Sequence, residues 1–221
     1  MRPAFDLSLY LVLDPELCEP LGMAETAAAA AAGGATLVQL RDKTGDTARR
    51  IAAGRAVKAA LAGTGVPLIV DDDAEAALAI GAEGLHVGQD DLPPERARAL
   101  IGPDAILGLS VETPALAAAA DPAIVDYVGA GPVFATATKP GHKPPVGMAG
   151  LARIARATRL PAVAIGGLKA THAAEAIAAG AGGMAVVSAI CGTPDPEAAA
   201  RRLARAIRAA KIGGKIPDRR G

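Results

Sequence analysis

Short runs of Val, Ile and Leu alternate along the chain with longer Ala-rich stretches that carry Arg, Lys and Glu, and the alternation recurs about eight times. That rhythm predicts βα units around a parallel sheet. The predicted strands are Leu7–Leu13, Thr36–Arg41, Pro67–Val70, Gly84–Val87, Ala105–Ser110, Tyr127–Gly131, Ala162–Ile165 and Met184–Ser188. Each is short and apolar, as a strand covered on both faces must be. Between them, Ala24–Ala32 stops at Gly33-Gly34, Ala74–Ile80 at Gly81 and Ala173–Ala179 at Gly180, where a left-handed C-cap is needed. Pro93-Pro94 opens another helix, and Pro196 follows a cap at Asp195. The segment Pro132–Pro145, rich in Pro, Thr, Gly and Lys, reads as a mobile loop after the sixth strand.

Eight such units predict an α/β chain that forms one single-domain (β/α)8 TIM barrel over residues 1–212, with 213–221 as a disordered tail. An open doubly wound sheet has the same local rhythm, but no Gly-x-Gly-x-x-Gly follows the first strand, which favours closure. Aromatic residues are only 2%, so Ala, Val, Leu and Ile must fill the core.

Composition narrows the partners. Twenty-three basic residues balance twenty-three acidic ones, giving no bulk electrostatic attraction to nucleic acid or to an anionic membrane, and a small-molecule partner fits better. No apolar stretch approaches a membrane span, and the N-terminus lacks the pattern of a secretory signal, so a soluble, cytoplasmic protein is expected. Cys18 and Cys191, far apart in sequence, read as unpaired thiols of a reducing compartment. The oligomeric state stays open.

A barrel gathers the C-terminal ends of its strands at one mouth, and here nearly every end is polar. Gln39, Arg41 and Lys43 alternate with period two and face one side together if the strand continues through them. A Gln beside two cations suits a heterocycle carrying a multiply charged phosphate; salt bridges to Asp42 or Asp46 are the bland alternative. Asp71-Asp72 and Asp90-Asp91 follow neighbouring strands, and carboxylates brought together need a cation between them. Asp73 is read as a helix cap, Asp72 and Asp91 as ligands of magnesium. Asp71 either turns to that metal, the preferred orientation, or is held by a cation such as Lys43. Gly166-Gly167 and Ser188 stand where this fold usually binds phosphate. His86 reads as a hydrogen-bonded core residue, His172 as a helix start, and His142 as part of the mobile loop.

At Gln39-Leu40-Arg41-Asp42-Lys43, Gly84–Asp91, Gly129–Phe134, Thr136–Lys139, Ala164–Gly167 and Val187–Ile190, taken together and in this order, the sequence resembles the thiamine phosphate synthase family over Leu9–Ile207. The resemblance implies a transferase of an alkyl group that joins hydroxymethylpyrimidine pyrophosphate to thiazole phosphate and releases pyrophosphate. It implies that Gln39, Arg41 and Lys43 hold the pyrimidine pyrophosphate, with Asp71, Ser110 and Lys139 also at that site. Asp72 and Asp91 would bind Mg²⁺, and Thr136, Thr138, Gly167, Val187 and Ser188 would hold the thiazole phosphate. Catalytic work would fall to Arg41, Lys43, Ser110 and Lys139. The sequence departs from the family at Asp71, commonly Asn, and at Glu112, often His. A thiazole tautomerase on the same fold is the rival function; such a relative would lack the Gln-x-Arg-x-Lys strand and use a histidine near position 112. A non-catalytic phosphate-binding barrel is the third reading.

Overall fold

The computed structural model describes residues 3–136, 138 and 143–213. The strands are β1 (Leu9–Leu13), β2 (Leu37–Leu40), β3 (Leu68–Asp71), β4 (Gly84–Val87), β5 (Ile106–Val111), β6 (Tyr127–Ala130), β7 (Ala162–Ile165) and β8 (Gly183–Val186). All pair in parallel in chain order, and β8 returns to β1. The sheet is therefore the closed barrel predicted, and the open alternative is excluded.

Around it run α1 (Pro15–Cys18), α2 (Met23–Ala32), α3 (Thr47–Ala60), α4 (Ala74–Ile80), α5 (Pro94–Ile101), α6 (Pro114–Ala119), α7 (Gly147–Ala157), α8 (Ala173–Ala178) and α9 (Pro196–Gly213). Helix starts follow the expected chemistry: Asp73 accepts from the Ala76 amide, and Asp195 from the Ala198 amide, at 2.8 and 2.9 Å. Gly34, Gly81 and Gly180 adopt φ of 103°, 68° and 99°, where a Cβ would be strained. His172 ends a short 3-10 turn before α8 instead of opening a longer helix. The last helix takes in Gly213, one residue past the expected boundary, while 214–221 lie outside the described residues.

Side-chain period sorts the core into two shells. Leu9, Leu11, Leu13, Val38, Leu40, Leu85 and Val87 point outward into the layer between sheet and helices. Tyr10, Leu37, Ile69, Ile106, Tyr127, Val163 and Ala185 fill the barrel itself. Small residues allow the outer ring to close tightly: a Cβ on Gly54 of α3 would stand 2.3 Å from Ile80 Cδ1 of α4. The cysteines, distant in sequence, lie near one another as free buried thiols, and Cys191 Sγ donates to the Val12 carbonyl at 3.6 Å. No described helix is long and apolar enough to cross a membrane.

Candidate active site

One cavity of about 200 Å³ opens at the C-terminal ends of the strands. Gln39, Arg41, Lys43, Asp71, Asp72, Asp91, Ser110, Thr136, Thr138, Gly167, Val187 and Ser188 all line it. Every described residue that the sequence nominated is thus brought to one place. Lys139 and His142 lie outside the described residues. Although β2 ends at Leu40, the alternation persists through the following turn, so Gln39, Arg41 and Lys43 share the inner face.

Asp42 is on the opposite parity and does not bridge Lys43. Its fully buried carboxylate accepts from the amides of Thr44 and Gly45 at 3.1 and 2.8 Å and pairs with Arg49 Nε at 3.0 Å. Arg50 then ties the two acidic loops together, giving Nε to the Asp42 carbonyl at 2.9 Å and Nη1 to Asp73 at 3.1 Å. This lacing outside the mouth fixes the turns that carry Lys43 and Asp72.

Within the mouth, Lys43 reaches both Asp71, at 2.9 Å, and Asp72. Arg41 Nε stands 3.7 Å from the same Asp71 oxygen. Asp71 is therefore held by cations, the second of its two expected orientations. Asp72 sits at φ 60°, a left-handed conformation costly for a residue with a Cβ and a common mark of functional sites. Burial, the charge of Asp71 and contact with Asp91 push its carboxyl up to about 7 against the pull of Lys43. Burial would lower the Lys43 ammonium, but Asp71 and Asp72 together raise it. Asp71, Asp72 and Asp91 thus crowd three carboxylates around the Lys43 ammonium. A magnesium ion takes one or two carboxylates and completes its shell with phosphate oxygens and water, so Asp72 with Asp91 fits that ion. No group of three or more metal-binding side chains is present among the described residues, so such a site depends on ligand oxygens.

The loop after β6 is pinned at its base. Val133 and Phe134 amides donate to the carbonyls of Ile165 and Gly166 at 2.8 and 3.1 Å, and Val146 donates to Pro132 at 2.8 Å. The close approach explains Gly166-Gly167: an added Cβ would stand 2.5 Å from Pro132 Cβ and 2.6 Å from the Ala135 carbonyl, respectively. Thr136 and Thr138 hydroxyls are 2.9 Å apart, and Arg41 Nη1 donates to the Thr138 carbonyl at 3.2 Å. The Gln39–Lys43 face and the loop are thereby joined through one guanidinium. Gly167 and Ser188 also border an adjoining hollow ringed by Lys169 and Arg202. The expected strand Met184–Ser188 is shorter, because the chain turns at Val187, whose carbonyl accepts from Ile190 and Cys191.

Sequence reasoning set His86 aside as a core residue. It is buried and hydrogen-bonded as expected, yet its ring also lines the cavity, with Tyr10 beside it. Their inward parity was the available signal, Tyr10 in Leu9–Leu13 and His86 in Gly84–Val87.

The profile described as thiamine monophosphate synthase matches residues 9–190. The chain belongs to the thiamine monophosphate synthase family. The thiamine-phosphate synthase of Xanthobacter autotrophicus is 50% identical over 211 residues, covering 96% of this chain and all of that one. That of Azorhizobium caulinodans is 49% identical over 92% of this chain and 96% of its own. Among solved structures, the thiamine phosphate pyrophosphorylase of Pyrococcus furiosus superposes with a TM-score of 0.83 at 33% identity, over 93% of this chain and 97% of that one. Membership in this synthase family makes the chain an enzyme of the transferase class.

Proposed function

We propose that the enzyme condenses hydroxymethylpyrimidine pyrophosphate with thiazole phosphate to give thiamine phosphate and pyrophosphate, acting in the cytoplasm on phosphorylated small molecules. The observation that carries the reading is the convergence of Gln39, Arg41, Lys43, Asp72, Asp91 and Ser110 with Thr136, Thr138, Gly167, Val187 and Ser188 on one cavity. The first six make the pyrimidine pyrophosphate end, the others the thiazole phosphate end. The Gln-x-Arg-x-Lys face and the paired aspartates, which a tautomerase would lack, favour the transferase.

In this reading Arg41 and Lys43 take up the negative charge that grows on departing pyrophosphate, with Lys139 assigned to the same end by family resemblance. Asp72 and Asp91 would hold Mg²⁺, which supplies Lewis-acid neutralisation of the diphosphate. Gln39 and Ser110 orient the aminopyrimidine while its methylene carbon becomes electron-poor. The loop bearing Thr136 and Thr138 then keeps water away while the thiazole nitrogen captures that carbon. No side-chain nucleophile is needed. The test is pyrophosphate release with both substrates, with each alone and with EDTA. Release that requires both substrates and Mg²⁺, with thiamine phosphate as product, is expected; thiazole isomerisation without pyrophosphate release would replace this reading with the tautomerase.

A further inference from the structure

Beneath the cavity, five side chains from five strands form a single line of hydrogen bonds. Gln39 Nε2 donates to Tyr10 Oη at 2.8 Å. Tyr10 Oη and Tyr127 Oη are 2.9 Å apart. The Tyr127 hydroxyl lies 3.0 Å from His86 Nδ1, and His86 Nε2 lies 2.9 Å from Ser110 Oγ. The line joins β2, β1, β6, β4 and β5, and its two ends, Gln39 and Ser110, both face the cavity. Backbone has been cleared to make room for it: a Cβ on Gly108 would stand 2.2 Å from Tyr127 Cζ and 2.4 Å from His86 Nδ1.

Tyr10 and Tyr127 are 1% and 0% exposed, so neither hydroxyl can turn to water. Burial pushes both phenols above their ordinary value, so each keeps one proton to donate. With Gln39 donating to Tyr10, the Tyr10 proton goes to Tyr127 and the Tyr127 proton to His86 Nδ1. A neutral imidazole then carries its proton on Nε2 and donates it to Ser110 Oγ. The Ser110 proton is left to point into the cavity, and the Gln39 carbonyl is left as the acceptor there. Turning the Gln39 amide over would reverse every bond and exchange both roles. The donor and acceptor at the two ends are therefore coupled through the interior of the barrel.

The geometry points to Tyr10, Tyr127 and His86 as positioning residues that determine heterocycle specificity, by fixing Gln39 as the acceptor and Ser110 as the donor that an aminopyrimidine meets. This inference rests on the proposed function and deepens it. An exocyclic amine offers a proton to Gln39 and a ring nitrogen accepts one from Ser110. A 4-oxo pyrimidine offers a lone pair where Gln39 needs a proton, and a buried mismatch of that kind is strongly rejected.

The polarity can be read without turnover. In ¹⁵N-histidine spectra of the full chain, with His86 assigned by its loss in His86→Asn, His86 is expected as the Nε2–H tautomer. The Nδ1–H tautomer would overturn the proposal; the variant serves only to assign the signal, and the tautomer is read on the unaltered chain. Kinetics supply the second arm: in Tyr127→Phe the ratio of kcat/KM for the aminopyrimidine diphosphate over its 4-oxo counterpart should fall by about tenfold, with the KM for thiazole phosphate unchanged. Wild-type turnover with an unmoved ratio in the variant overturns the relay alone. No wild-type turnover overturns the proposed function, and the specificity claim with it.

Discussion

The two ends of the barrel are both rich in charge, and they treat it in opposite ways. At the N-terminal end, Arg98 of α5 gives Nη2 to Asp126 at 2.7 Å, Nε to the Ile124 carbonyl at 3.0 Å and Nη1 to the carbonyls of Gly102 and Ala105 at 2.8 and 2.6 Å. Asp126 in turn accepts the Leu107 amide at 2.7 Å. Arg98 meets Asp126, and the other partners named here belong to fixed backbone. At the mouth, Lys43 serves Asp71 and Asp72 together, Asp91 touches Asp72, and Asp72 is held at positive φ. A satisfied ion pair closes a structure, whereas carboxylates crowded together at a strained residue keep a position for a ligand.

The comparison breaks first at Arg98. Arg98→Ala takes the cation from Asp126 and a donor from three carbonyls near the start of β5 and β6, and removing one partner of a largely buried pair costs about 3–5 kcal/mol. Thermal unfolding should drop by about 10 °C for a chain of this size, while activity per folded molecule at low temperature stays near wild type. A loss of kcat without loss of stability would show that the two ends are not separable.

Asp91→Ala should do the reverse. Its carboxylate is exposed and accepts the Gly88 amide at 2.8 Å, so its removal should change stability by only about 0.5 kcal/mol. Activity should fall by about 100-fold or more through loss of Mg²⁺. Full turnover by the variant in a chelator would remove the metal assignment.

This contrast was only half visible in the sequence. Period two placed Gln39, Arg41 and Lys43 on one face, and glycine after Ala-rich runs placed the helix stops, because both signals are local in the chain. Barrel closure then brought the polar strand ends together without further information. Asp42 was harder: its neighbours are the site cations, and only its parity and the buried turn it closes show that it supports the loop from outside. The relay from Gln39 through Tyr10 and Tyr127 links residues 29 and 117 positions apart, and no local pattern reports a hydrogen bond over such separations. The nearness of Cys18 and Cys191 was hidden for the same reason.

A smaller effect follows from crowding at Asp72. Its carboxyl is raised to about 7 in the folded chain from the ordinary 3.8, so metal-free folding is favoured while the group is protonated and loses that advantage as pH rises through about 7. Asn tolerates the same left-handed backbone and carries no charge. In EDTA, Asp72→Asn should therefore gain stability over wild type between pH 4 and 8, by about 1 kcal/mol after allowance for partial exposure and the lost Lys43 pair. A gap that shrinks with rising pH would contradict the crowding, and activity should be lost in either case.

The smallest change is expected at Asp71, where the resemblance leads one to expect Asn. A bare carboxylate beside a diphosphate would be repelled by several kcal/mol at contact, for an effective dielectric of about 20. Here the Asp71 side chain is only 9% exposed and its charge is already taken up by Lys43 at 2.9 Å and Arg41 at 3.7 Å. Those cations are the ones proposed to hold pyrophosphate, and in that reading Asp71 competes with the substrate for them. Asp71→Asn should release both cations and lower the KM for the pyrimidine diphosphate by about two- to five-fold, the range of a partly exposed ion pair. The Mg²⁺ concentration at half-maximal activity should stay where it is in the wild type. Titrating Mg²⁺ against activity in the variant separates the alternatives, because a raised midpoint with unchanged KM would return the Asp71 carboxylate to the metal.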